Sequence, residues 1–569
     1  MTDAACRLEG RRAATDAGRA APIALWLGLA VLLVPVVLVP VPPLLDLPNH
    51  MARWHLLVDA MVHGREHPYF VVDWSHASVN TAVDMLAVLL GAVAGAEVAG
   101  RVICGLAVVL PPLGAAMLNR SLFGGWHWWM AGMPVLAWNG SLLMGLVTFQ
   151  IGAGLALLIA AFDHDVLRRR PRALRFVARA GATGLLLFVH PFAAAFLALL
   201  LGGLAVGRRL GGPGRALRRM PGLLVTGAAC ILPVVLYLAL TPVPPMQDMP
   251  DESIRVPDRG GIAQRLSFAF GILVGAQTTY DINTEWLWLV PLWIAVVAAM
   301  LLGRGMRGHH GILLVAGGLA LLGATMPAYV VGNAMSNWRV AALVGLTLVA
   351  GCRPAVPFPV RPGAGAAFAA ALFAVGALRT AWVGAVWWPA RADVVAVQRV
   401  IAQVPSGAIM LMAEHSPDLR GDPPSPRHRV FIGGWQLYWH LGTLAVTWRD
   451  AFVPTLFTGR GKQPLRPRFP WDALAVPDGW AFSLHLLALP PEVLRERLAA
   501  DPYLAGARYL ADWRNSFEFL LVLNADQPDR EGPIPRIPGI ELVADEGFAQ
   551  LWRIVPSRRD RQGSAEPSQ

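Results

Sequence analysis

The feature that most constrains this chain is a series of long apolar runs punctuated by clusters of arginine. Apolar runs occupy residues 22–42, 79–96, 101–118, 126–144, 146–167, 176–207, 221–240, 286–302, 311–331, 338–352 and 364–388. Most approach the roughly 20 residues that carry a helix across a bilayer. In hydrocarbon the backbone must satisfy its own hydrogen bonds, so such runs fold as helices. Only 15% of the 569 residues are charged and 55% are hydrophobic, against about 25% charged in an ordinary soluble domain. The fold class read from this pattern is an α-helical polytopic membrane protein.

The arginines set its orientation. Arg7, Arg11 and Arg12, then Arg168–Arg170 with Arg172 and Arg175, then Arg208, Arg209, Arg215, Arg218 and Arg219, and then Arg304 and Arg307 all fall between apolar runs. This is the bias of cytoplasmic loops. It accounts for the net charge of +11 and argues against a nucleic-acid partner. Residues 1–21 read as a basic cytoplasmic tail and 22–42 as a retained first span, too long for a signal-peptide core. The run 176–207 lies between two inside clusters, so it should cross twice, as a hairpin turning at His190-Pro191. Four full spans between 79 and 167 would put the cluster at 168–175 outside. One of them should therefore be re-entrant or half-length, with a break near Trp138-Asn139-Gly140-Ser141. An odd total of 11 or 13 spans follows if the C-terminus is outside.

The domain plan is then a membrane domain over 22–389, with outer loops 43–78 and 241–285. In the second loop, residues 262–277 read as a short surface helix. After Trp388-Pro389 the composition turns soluble. Residues 390–556 read as an extracytoplasmic mixed α/β domain with a helix at 391–403. Its strands are expected at 407–413, 517–523, 540–543 and 550–554, with a disordered tail at 557–569. The protein would be a multi-pass protein of the inner (plasma) membrane with this domain in the periplasm. The four cysteines, Cys6, Cys104, Cys230 and Cys352, have neither metal-ligand nor disulfide spacing. The soluble domain shows no Ser-His-Asp order and no glycine-rich phosphate loop, and Gly433-Gly434 reads as a turn.

Candidate chemistry concentrates just beyond the first span, in Leu45-Asp46-Leu47-Pro48-Asn49-His50-Met51-Ala52-Arg53-Trp54. On a helix, Asp46, His50 and Arg53 share an arc of about 60°. A carboxylate at a membrane surface can act as a general base, or Asp46 can simply cap the helix 47–63. His50 and Arg53 would orient the base or bind a phosphate; the alternative is a solvated helix face. Met51, Trp54, Val58, Met61 and Val62 form an apolar stripe expected to face the membrane. His190 is a candidate site residue at the hairpin turn or else a buried core histidine. Arg339 opens a late span on the outer side, where it would hold a lipid phosphate or snorkel to headgroups. Asp281 and Glu285 read as an ordinary acidic loop, or less readily as a second acid or metal ligand. Asp84 and Glu97 stand out as acids near span ends.

Taken together, these features resemble the GT-C superfamily of integral-membrane glycosyltransferases: an acid on a surface helix in the first outer loop, a His-Pro at a membrane hairpin, an arginine opening a late span and a C-terminal outer domain. The resemblance implies a sugar carried on polyprenyl phosphate, a lipid or glycan acceptor, Asp46 as the base and Arg339, helped by His190, at the donor phosphate. It makes no cofactor certain and leaves a divalent metal open; the Asp-Leu at 46–47 replaces the paired acids of many members. Two other readings stand beside it. One is a polymerase or ligase of lipid-linked glycans, which usually lacks a soluble domain of this size. The other is a transporter or flippase, which calls for ionisable groups at mid-membrane.

Overall fold

In the computed structural model most of the apolar runs are helices. It describes residues 3–207, 220–241, 262–281, 283–288, 306–328, 335–354, 364–415, 429–431, 435–475, 482–529, 531–534 and 536–555, with single residues between. The expected run 286–302, residues 242–261 of the loop 241–285 and the tail 557–569 lie largely or wholly outside the described residues.

Among the described residues, five helices are long and apolar enough to cross a membrane: Ala20–Leu38, Ala96–Phe123, Val147–Arg169, Pro221–Leu240 and Gly365–Ile401. Shorter apolar helices are Thr81–Ala94, Pro191–Gly207, Leu266–Gly275, His310–Thr325 and Ser336–Ala350. Many of their large apolar side chains face outward. Ile231, Val235, Leu238 and Leu240 line one helix in this way, and Trp26, Leu27 and Val37 another. Such surface is what lipid covers.

The chain divides into two compact units that do not follow chain order: residues 1–38 with 102–385 and 431–433, and residues 39–101 with 386–430 and 434–569. In the first unit, Arg172–Val189 and Pro191–Gly207 are two helices that break at His190, the hairpin that proline and charge order require. The run 126–144 is not a helical span. It forms a 3₁₀ segment, Trp128–Leu136, and a single turn, Gly140–Leu143, capped by the Asn139 side chain. Glycines set the helix crossings. A Cβ at Gly154 would lie 2.5 Å from the Leu110 carbonyl carbon, and one at Gly114 2.6 Å from the Gly154 oxygen. Small residues at such positions are what lets membrane helices approach closely.

The second unit contains a five-stranded sheet in the order Ile540–Asp545, Ala549–Ile554, Phe519–Leu523, Met410–Glu414, Phe482–Ser483. The first three strands are antiparallel; Met410–Glu414 runs parallel to both of its neighbours. Met410–Glu414 and Phe519–Leu523 are fully buried, as the continuous apolar runs of central strands demand. The first loop joins this unit directly: Phe70–Val72 pairs antiparallel with Leu465–Pro467. A single helix, Ala364–Ile401, runs through Pro389.

Candidate functional site

Asp46 begins the helix Leu47–Val62, and its carbonyl accepts the first helical bond, from His50 N at 3.1 Å. Its side chain makes no capping bond. The reason is conformational. A capping side chain reaches the free amides from an extended backbone, whereas Asp46 already has helical angles (φ −86°, ψ −14°). The capping alternative therefore does not hold. The carboxylate instead approaches the imidazole of His440, with Oδ1 3.5 Å from Nε2; Asp46 is 20% exposed and His440 5%.

His440 comes from the far end of the chain, at the entry to a 3₁₀ turn, Leu441–Leu444. Its carbonyl is tied down by the Thr443 amide and hydroxyl. Trp439 stacks on the ring at 6.1 Å and Phe457 meets it edge-on at 5.0 Å. Burial lowers its pKa from 6.5 to about 3, so the ring is neutral. Two straps hold this segment to the first loop. Asn49 donates to the Thr455 carbonyl at 2.7 Å and accepts from the Phe457 amide at 2.8 Å, and the Tyr438 hydroxyl donates to the Val41 carbonyl at 3.1 Å.

His50 and Arg53 do not lie on a solvated face. Arg53 is 1% exposed. Its Nε and Nη2 donate to Asp84 Oδ1 at 3.2 and 2.8 Å, and its Nη1 lies 3.0 Å from His50 Nδ1. Arginine has only donors, so His50 Nδ1 accepts and the ring proton resides on Nε2. Trp54 stacks on His50 at 5.7 Å and donates to the same Asp84 oxygen at 2.7 Å. The stripe expected to face lipid also packs inside: Val58 fits against Gly91 and Met51 against Gly100. Only Met61 and Val62 remain exposed.

In the other unit the hairpin histidine meets the late arginine. His190 Nε2 lies 2.8 Å from Arg339 Nη1, with His190 2% and Arg339 7% exposed. The arginine again donates, and the Phe192 amide approaches the other ring nitrogen, Nδ1, at 3.2 Å. Phe149 lies under the pair, 5.9 Å from the guanidinium and 5.7 Å from the imidazole. Arg339 is thus held within protein and does not snorkel.

Glu285 is not part of an ordinary acidic loop. It is 1% exposed, lies 2.9 Å from Arg379 and accepts from the Thr279 amide at 3.1 Å and from the Thr279 hydroxyl. Arg379, inside the apolar run 364–388, escaped the sequence reading. It donates to the Gln277 carbonyl at 2.8 Å and to that of Val135, and so pins the irregular 128–139 segment. Asp281 accepts from the Asn283 and Thr284 amides. Among the described residues no three of His, Cys, Asp and Glu gather as metal ligands.

No protein-family model matches the chain, and no curated protein does. Among solved structures, the chain is similar to ArnT from Cupriavidus metallidurans, solved as a crystal structure bound to undecaprenyl phosphate. The two share 12% identity at a TM-score of 0.47, over 96% of this chain and 99% of that one.

Proposed function

We propose that the protein is a membrane glycosyltransferase that moves a sugar from a polyprenyl-phosphate carrier to an acceptor hydroxyl on the extracytoplasmic side. The observation that carries this reading is the state of Asp46. It is a partly exposed carboxylate at the start of the first-loop helix, turned away from the capping amides and toward a buried neutral imidazole. A carboxylate that only stabilised the helix would point at the amides.

The reaction is a single displacement. Asp46 takes the proton of the acceptor hydroxyl, and that oxygen forms a bond to the anomeric carbon. The bond from that carbon to the phosphate oxygen breaks, and polyprenyl phosphate leaves with the electron pair. Negative charge grows on the phosphate as the bond breaks. A fixed cation there stabilises the transition state more than the ground state. Arg339 is assigned that role, with His190 and Phe149 fixing its direction. His50 and Arg53 brace the helix that carries the base.

The test is Asp46→Asn in purified protein, measured as sugar transfer from polyprenyl-phosphate sugars. The expected loss is about 10²- to 10⁴-fold with normal membrane insertion; unchanged transfer would remove Asp46 as the base. Orientation is tested separately with Glu492→Cys, on the exposed helix Pro491–Ala500. A membrane-impermeant thiol reagent should label it in intact cells, and protection there would reverse the topology.

A further inference from the structure

The structure assigns His440 as the positioning residue for Asp46: a neutral imidazole, brought by the C-terminal domain, that presents Nε2–H to the carboxylate and fixes its rotamer. This rests on the reading of Asp46 as the base, and it gives the C-terminal domain a part in that site.

Three observations carry it. The first is the approach itself, 3.5 Å between Nε2 and Oδ1. That is longer than a formed hydrogen bond. Catalytic hydrogen bonds are often long before substrate arrives.

The second is the tautomer. Nδ1 of His440 is buried and has no hydrogen-bond partner among the described residues. The ring proton therefore gains an interaction only on Nε2, facing the acid. Burial lowers the pKa of the ring to about 3, which suits a neutral imidazole that donates to the carboxylate and orients it.

The third is the effort spent on holding the ring still. Trp439 covers one face and Phe457 abuts the edge. The same Phe457 meets His50 at 5.8 Å, and its amide is bonded to Asn49, three residues from Asp46. The base and its imidazole are thereby fixed to one frame, although almost 400 residues separate them in the chain. A base held to a narrow range of directions gains rate through orientation, and a misplacement of about 1 Å can cost 10²-fold.

The experiment measures transfer by His440→Phe and His440→Gln, each alone and with Asp46→Asn. Phenylalanine keeps the packing and removes the donor; glutamine restores a donor near the Nε2 position. His440→Phe should lower kcat about 10- to 100-fold, with KM for donor and acceptor within about twofold of wild type. His440→Gln should recover most of that rate. In the Asp46→Asn background His440→Phe should change the residual rate less than about twofold, because the group it positions is gone. Wild-type kcat in His440→Phe, a loss confined to KM, or an equal loss with and without Asp46 would overturn the assignment while leaving the base intact. Full activity of Asp46→Asn alone would remove the base assignment and this inference with it. If His440→Phe fails to accumulate, His440→Asn, whose amide falls near Nδ1, replaces it: an active Gln and an inactive Asn support the assignment, and equal rates overturn it.

Discussion

Arg53 and Asp84 form a buried ion pair in which three donors converge on one carboxylate oxygen. Arg53 Nε and Nη2 and Trp54 Nε1 all reach Asp84 Oδ1 within 3.2 Å, with both charged side chains at most 1% exposed. The pair joins the helix that starts at Asp46 to the helix Thr81–Ala94. Removing one partner of such a pair strands a buried charge, which costs about 3–5 kcal/mol. Asp84→Ala should therefore lower the thermal midpoint of the detergent-purified protein sharply. The double change Arg53→Met with Asp84→Leu should lose much less, because no charge is stranded. A melt of Asp84→Ala at the wild-type midpoint would deny the pair its structural role.

That pair also marks the limit of what the sequence made legible. The periodicity of Leu47–Val62 was plain, and so was the helical arc shared by Asp46, His50 and Arg53. Which surroundings that arc faces was not, because burial depends on the partner. Asp84 was visible as an acid in an apolar helix, but nothing local couples positions 53 and 84. The hairpin at His190, the irregular stretch near Asn139 and the central strands of the sheet were readable, since proline, charge order and apolar runs act locally. His440 was not, because it lies almost 400 residues from Asp46 and carries no motif. Arg379 was hidden differently: one guanidinium scarcely dents the hydropathy of a long apolar run, yet an intramembrane charge by itself calls for a partner.

If Arg339 holds the donor phosphate, its planar fork matters as well as its charge. Arg339→Lys keeps the charge and loses the paired geometry. Donor KM should rise about tenfold with normal protein levels. Arg339→Ala should lower kcat/KM by about 10²- to 10³-fold. His190→Phe preserves the ring packing on Phe149 but removes the acceptor that aims the guanidinium, so it should fall between the two. Kinetics against a polyprenyl-phosphate sugar decide this, and equal donor KM in all three variants would place the phosphate elsewhere.

Helix crossings make a prediction independent of function. A Cβ on Gly311 would lie 1.9 Å from the Gly203 carbonyl oxygen and 2.8 Å from the Gly207 amide nitrogen, whereas one on Gly317 would meet nothing within 4 Å. Both glycines lie in the helix His310–Thr325. Backbone cannot rotate aside as a side chain can, so Gly311→Ala should cost about 3 kcal/mol or more. Gly317→Ala should be neutral or stabilise by up to about 1 kcal/mol through helix propensity. Paired thermal melts in one detergent test the contrast; equal shifts would refute the crossing geometry.

Acid sensitivity should reside in two histidines of the second unit, half-buried His67 and buried His440. His67 lines a cleft of about 480 Å³ with Asp450 and Arg468. Burial lowers its pKa from 6.5 to about 4, against a smaller opposing pull from Asp450. Burial does the same more strongly at His440, to about 3. The sign follows from proton counting. Between about pH 4 and 6.5 the unfolded chain binds a proton at His67 that the folded ring refuses, so stability rises with pH across that window. Above 6.5 both states are neutral and the contribution is flat; below about 4 both are charged and the slope ends. His67→Gln cannot titrate, so its denaturant midpoint should depend less steeply on pH between 4 and 6.5 than that of wild type. Identical slopes would mean that the ring protonates as readily in the folded protein as in the unfolded chain.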